Sequence, residues 1–276
     1  MAANPLKRSI NEAVRVNHEL ARLFASAGTT DHPRGAVLSS YRTTLRALKA
    51  DTSTGAIRDT MQSLQREIHS FAREKLLEAS SIGTGSAIKQ MGYYGKKLST
   101  FVPPPQIEPA LDAINSVIQA QTSAALGLAS TRNTTQITGD QNRQGVVQAT
   151  AVTSALAFWM ATMLAQAMST TVLASGSDFK KQSIAALDGR TTDCCLRAHA
   201  QIQPMNGLFI LSGTPRFADK LDWTPFHWYC RTSIALYLDG YDLGLTEQMR
   251  DGANFLLSER KAGRHPDRDP ADAFWQ

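Results

Sequence analysis

Between Gln144 and Asp178 the chain carries no charged side chain. Ala is the commonest residue of the interval, and a long helix from about Asn142 to Leu173 is the reading its pattern supports. A helix without a charged face has nothing to offer water, so it must be covered on most sides, in its own core or in an assembly. Its most apolar part, Ala149 to Met168, is long enough at about 20 residues to be considered as a membrane span. Gln148 stands just before that part, Gln166, three threonines and one serine interrupt it, and Ala prevails over Leu and Ile. The expectation is therefore a buried or interface helix, oligomeric or docked, with no membrane span.

The preceding sequence supplies helices that could cover it. Asn4-Pro5 is a helix start, with Asn as cap and Pro at the first helical position. Leu6, Ile10, Ala13, Asn17, Leu20 and Phe24 then recur at helical spacing as far as Ala27-Gly28. A second helix is predicted from about Arg34 to Ala50. A third carries a heptad seam of Ile57, Met61, Leu64, Ile68 and Phe71. Gly83, Gly85, Gly92 and Gly95 make Ser80 to Lys97 a poor continuous helix by propensity. Phe101-Val102-Pro103-Pro104-Pro105 excludes a helix interior and marks a linker. Glu108 to Ser130 reads as helix and Thr131 to Asp140 as a polar loop.

After Gly176 the character changes. Phe179 to Leu187 reads as a short helix, and 208–211 and 233–238 as strands. A last helix is predicted from about Thr246 to Lys261. The expected fold is mainly α, a long helical N-terminal and middle region with a small α+β C-terminal module. In sequence order this gives a basic helical region at 1–100, a Pro-rich linker at 101–107, long apolar helices at 108–176, a Cys/His-containing α+β module at 177–262 and a flexible tail at 263–276.

The formal charge of +5 is mild but uneven. Residues 1–100 hold fifteen Lys/Arg against eight Asp/Glu, so the basic excess lies wholly in the N-terminal helices. Such a face is either solvated or meets nucleic acid or an acidic partner surface. Three cysteines do not make a disulfide scaffold, and Met1 to Arg8 does not read as a signal peptide. No phosphate-binding glycine motif, dinucleotide fingerprint or internal repeat is present.

All three cysteines fall between Asp188 and Arg231, with His199 and His227. Cys195 and His199 are four apart, which would place them on one helical face. His227 and Cys230 are three apart. Cys195, His199, His227 and Cys230 thus form a candidate zinc set, since tetrahedral zinc accepts two Cys and two His. Cys194 is the awkward neighbour, because adjacent side chains point apart and only one of the two would normally ligate. Two other readings compete: ordinary buried or paired cysteines, including a Cys195–Cys230 contact, and a catalytic pair with Cys195 or Cys230 as thiolate and His227 as base. Nothing in the sequence supplies an oxyanion hole or a pocket for the last of these. Asp188, Arg190 and Asp193 read as a paired turn, and Arg231 as a bidentate partner for a carboxylate or for loop carbonyls. Trp223, Phe226, Trp228 and Tyr229 read as a hydrophobic plug over the site.

The run Asp188-Gly189-Arg190-Thr191, then Cys195, then Pro225-x-His227-x-x-Cys230-Arg231 resembles the C-terminal signature of tailed-phage head morphogenesis proteins, the Mu F-like minor head proteins. Trp228 stands where that signature has Pro, and Thr232 where it has a further Cys. His199 lies outside it. The resemblance implies a virion component that binds the portal and other head proteins and acts in procapsid assembly, DNA packaging or ejection. It would lie in the capsid interior or portal region, and in host cytoplasm during assembly. The resemblance implies no catalytic residue and no known reaction. Related domains occur in bacterial toxins, which keeps a toxin-like or nuclease-like enzyme as an alternative. A virion DNA-binding protein that contacts packaged double-stranded DNA through the basic N-terminal helices is the third.

Overall fold

The structure is a computed structural model that describes all residues except 1–3, 26–34, 38, 42, 45–53, 99–101, 130–136, 190, 212–219, 229 and 265–276. Arg190, Tyr229, most of the second predicted helix and nearly all of the tail therefore lie outside the described residues. The described residues are mainly helical with a small α+β part, as the sequence leads one to expect. In chain order they form α1 (Pro5–Ala25), α2 (Thr54–Tyr93), α3 (Glu108–Ala129), α4 (Ile137–Ala174), β1 (Lys180–Ala185), α5 (Asp193–Ala198), β2 (Ile202–Pro204), β3 (Phe209–Ile210), β4 (Lys220–Leu221), β5 (Thr232–Tyr237) and α6 (Leu245–Lys261). Residues 35–37, 39–41 and 43–44 are also helical.

The compact units do not follow the sequential division. One comprises residues 1–21, 79–105 and 161–276, the other 22–78 and 106–160. In the second unit Met61, Leu64, Ile68, Ala72 and Leu76 of α2 are buried. The seam thus continues through Ala72, and Phe71, which the heptad placed in it, is half-buried. Ala110, Leu111, Ile114 and Ile118 are the buried stripe of α3, with Ile107 buried just before it, and Arg73 reaches Glu108 at 2.9 Å. On α4 the consecutive residues Ala155, Leu156 and Ala157 are all buried, so more than one face is covered. This helix is the one described segment long and apolar enough to cross a membrane, with a mean hydropathy of 1.4 over Ala149–Ala174; 67% of that apolar window is buried within the structure. Its hydroxyls are absorbed locally: Thr153 donates to Ala149 O and Thr171 to Ala167 O, which lets Thr lie in a dry helix.

The first unit is built on a three-stranded antiparallel sheet in the order β2-β1-β5. β1 pairs with β5 from Lys180↔Tyr237 to Ala185↔Thr232 and with β2 from Lys180↔Pro204 to Gln182↔Ile202. Strand alternation divides its side chains between two faces. Ile184, Ala235 and Tyr237 pack with Leu6, Ile10 and Ala13 of α1 and Met249 of α6. Ala185, Ile234 and Leu236 pack with Met91 and Tyr94, Met168 and Val172, and the cysteines. The open edge of β5 is closed by side chains. Gln90 accepts from Leu236 N at 2.7 Å and donates to Ile234 O, and Tyr94 and Ser9 donate to Leu236 O. An edge so occupied cannot recruit another strand.

Three expectations are corrected. The predicted helix at Phe179 to Leu187 is instead the central strand β1, in which 181–185 are all buried. Its polar residues hid the strand period, because each finds a partner inside. Lys181 donates to Met205 O at 2.9 Å and to Asp222 O, with its ammonium against the rings of Phe209 and Trp223. Gln182 donates to Thr246, and Ser183 to Ala198 O. Second, α2 runs unbroken to Tyr93 despite its glycines. A Cβ on Gly83 would stand 2.2 Å from Leu164 O, so this glycine permits a close helix approach rather than ending the helix. Third, residues 137–140 of the predicted polar loop already belong to α4.

Candidate metal centre

α5 is only six residues long and begins after Thr192, whose side chain makes no capping bond to it. That hydroxyl is used elsewhere: it lies 2.8 Å from His227 Nε2 and 3.1 Å from Cys194 Sγ. Cys194 and Cys195 follow in the first turn, and both are buried. His227 and Cys230 come from the irregular segment that leads into β5 past the cis Thr224–Pro225 bond. Cys195 Sγ stands 3.0 Å from His227 Nε2 and 3.8 Å from Cys230 Sγ. All three cysteines are free thiols. His227 Nδ1 lies 2.7 Å from Trp228 O. A carbonyl can only accept, so Nδ1 carries a proton and Nε2 is the nitrogen turned to the sulfurs.

Cys194, Cys195 and His227 form a cluster that could hold a metal ion, their ligand atoms all lying within 4.8 Å of one another. Cys230 adds a third sulfur beside it. The donor set fits a soft or borderline cation, and two thiolates on one tetrahedral zinc stand about 3.8 Å apart, the separation of Cys195 and Cys230. The Cys195–His227 separation, by contrast, is that of a direct thiol–imidazole hydrogen bond.

The electrostatics favour charge separation. The hydrogen bond from Cys195 is the main influence that lowers the Cys194 thiol, with His227 and Thr192 adding to it against the cost of burial. Cys195 is raised by its hydrogen bonds to Cys194 and Cys230 and by burial. Burial opposes charge on His227, yet the bond to Cys194 and the neighbouring Cys230 outweigh it and lift the ring to about 9. Three sulfurs in contact cannot all ionise without a cation among them, and here the imidazolium is the cation nearest to hand.

His199 is not part of this cluster. α5 ends at Ala198, and His199 is already extended, with φ −56 and ψ 135, before Ala200 turns at φ 60. The one-turn face assumed for Cys195 and His199 therefore does not exist. The ring is buried against the sheet instead, and its Nδ1 accepts from Ala185 N at 2.9 Å, where β2 no longer covers the edge of β1. Burial depresses it to about 4.

A polar scaffold fixes the segment that carries the thiols. Arg231 grips both oxygens of Asp188 and reaches Thr191 at 3.3 Å. Thr191 donates to Ala186 O and to Asp188 Oδ1. Arg260 of α6 binds Asp193 at 2.7 Å and the carbonyls of Asp188 and Gly189, each at 3.2 Å. The residues Asp188, Thr191, Cys195, His227, Cys230 and Arg231 thus converge, while Arg190 lies outside the described residues. Pro225 forms the cis bond beside them. Asp188 pairs with Arg231 and Asp193 with Arg260, both distant in sequence; the turn expected around Arg190 falls outside the described residues. The aromatic plug is partial: Phe226 is buried edge-on to Phe209 at 5.7 Å and Trp223 lies over Lys181, but Trp228 is 53% exposed. Thr192 and Arg260 were not legible as site residues. Cys194 was set aside on adjacency alone, although on a short helix both neighbours can turn inward. Comparison with protein-family models, curated proteins and solved structures finds no match for this chain.

Proposed function

We propose that this chain is a minor head protein of a tailed phage, a virion component that acts at the portal or inside the head, and that its Cys/His centre holds a structural zinc ion. The observation that carries the reading is the joining of two segments some forty residues apart. Asp188 and Thr191 meet Arg231, and Cys195 meets His227 and Cys230, so these six residues of the resemblance meet across the two segments. A signature that is spent on holding its own loops together suits a docking module better than a pocket. Zinc suits the donors, with Cys194, Cys195, Cys230 and His227 as the ligands rather than the set with His199. Bound there, it would neutralise the clustered thiolates and tie α5 to the segment before β5.

The 3.0 Å thiol–imidazole contact favours one second reading, a thiol-dependent toxin-like enzyme with Cys195 as nucleophile and His227 as base. Co-expression with a candidate portal, purification under reducing conditions and elemental analysis separates them. The structural reading expects co-purification with one zinc per chain and harmless expression in bacteria. A metal-free protein that ignores the portal and poisons bacteria until His227→Ala is introduced would replace it with the enzyme.

A further inference from the structure

We propose that Cys195 and Cys230 are also a peroxide-oxidisable pair, so that the centre exists in two exclusive forms, metal-thiolate and disulfide. The proposal rests on the reading of the cluster as a metal site, and its disulfide limb stands on geometry that needs no metal. The two sulfurs are free and in contact at 3.8 Å. They belong to different segments, α5 and the approach to β5, so a bond between them spans the same gap that a shared ion would span. Cys194 is sequence-adjacent to Cys195 and its sulfur is engaged by Thr192 at 3.1 Å. A bond between neighbours in the chain would close a small strained ring, which leaves Cys230 as the partner that Cys195 reaches with least distortion.

The chemistry balances with a peroxide as oxidant. One thiol of the pair takes one oxygen from hydrogen peroxide and becomes a sulfenic acid, releasing one water. The other thiol then attacks that sulfur; an S–S bond forms, the S–O bond breaks, and the hydroxyl leaves with the attacking thiol's proton as a second water. Two thiols lose two electrons to one peroxide. A sulfur committed to a disulfide is no longer a thiolate ligand, so a loaded centre would release its ion as it oxidises. Thiol chemistry of this kind distinguishes a reducing compartment from an oxidising one, and the fold would keep a cross-link in either.

The test uses the full chain, reduced and stripped with a chelator, treated with one equivalent of hydrogen peroxide, alkylated and digested with trypsin. Cys194 and Cys195 share the peptide 191–197 and Cys230 lies in 221–231, so fragmentation between Cys194 and Cys195 identifies the bonded sulfur. The expected result is loss of two of the three alkylatable thiols, with Cys195 joined to Cys230 and Cys194 alkylated. Three alkylated thiols, or Cys194 in the bond, overturns the proposal. A parallel arm loads zinc first and follows its release with a chromogenic chelator. Release in step with the disulfide is expected, and disulfide formed with zinc retained overturns the exclusivity. If no zinc binds, the metal reading fails while the stripped arm still decides the thiol pair.

Discussion

His199 shows how one histidine can be read in opposite senses from its spacing and from its surroundings. Its Nδ1 accepts from Ala185 N, so the ring is neutral, with its proton on Nε2. Protonation at Nδ1 would break that bond inside a dry site. Because the folded ring is depressed to about 4 while an unfolded histidine titrates near 6.5, the unfolded chain binds the extra proton in between. Stability is then fully present above about pH 6.5 and falls as pH drops toward 4, by about 3 kcal/mol. Chemical denaturation at several pH values measures this, and His199→Gln should flatten that part of the curve. A wild-type profile no steeper than that of His199→Gln would mean the ring is not buried neutral. The same variant should keep its metal, in contrast to Cys195→Ser.

At the level of elements, two glycines on one helix face opposite fates. A methyl on Gly83 would collide with the backbone of Leu164, whereas nothing lies within 4 Å of the corresponding position on Gly85. Alanine favours a helix over glycine by about 1 kcal/mol. Gly85→Ala should therefore raise stability by roughly 0.5–1 kcal/mol, while Gly83→Ala should lower it by about 1–3 kcal/mol through overpacking. Thermal melts of the two variants decide this, and equal shifts would contradict the close approach. The sheet edge gives a second expectation. Gln90 serves both Leu236 N and Ile234 O from a fully buried position. Gln90→Leu keeps the volume but strands both backbone groups, at a cost of about 2–4 kcal/mol. Amide exchange at Leu236 should accelerate in that variant, and unchanged exchange would show that the edge is held by other means.

For the whole molecule, the metal and the basic N-terminus are the two properties to measure. A bound ion at a hundredfold excess over its dissociation constant stabilises by about 2.7 kcal/mol. Chelation should then lower the melting midpoint by on the order of 5–10 °C, reversibly on return of zinc. An unchanged midpoint would leave the thiols as a purely organic cluster. The basic excess is partly consumed inside the fold, since Arg15 and Lys89 both bind the buried Glu12, at 2.7 and 2.6 Å. Retention on DNA should accordingly be weak and vanish at moderate salt. Tight binding that persists there would favour the DNA-binding alternative.

The sequence by itself determined the helical majority, the covered helix α4, the strand β5, the final helix and the segment in which the site lies. Those depend on periodicity, on caps and on the absence of charge, all of which are local. Only the tertiary structure decided that Lys181, Gln182 and Ser183 line a central strand. Their polar groups are matched by Met205, Asp222, Thr246 and Ala198 from elsewhere in the chain. It also decided that Cys194 joins the cluster and His199 leaves it. That outcome turned on where a six-residue helix stops, because a single residue past its end sends a side chain out of the helical face and into the sheet.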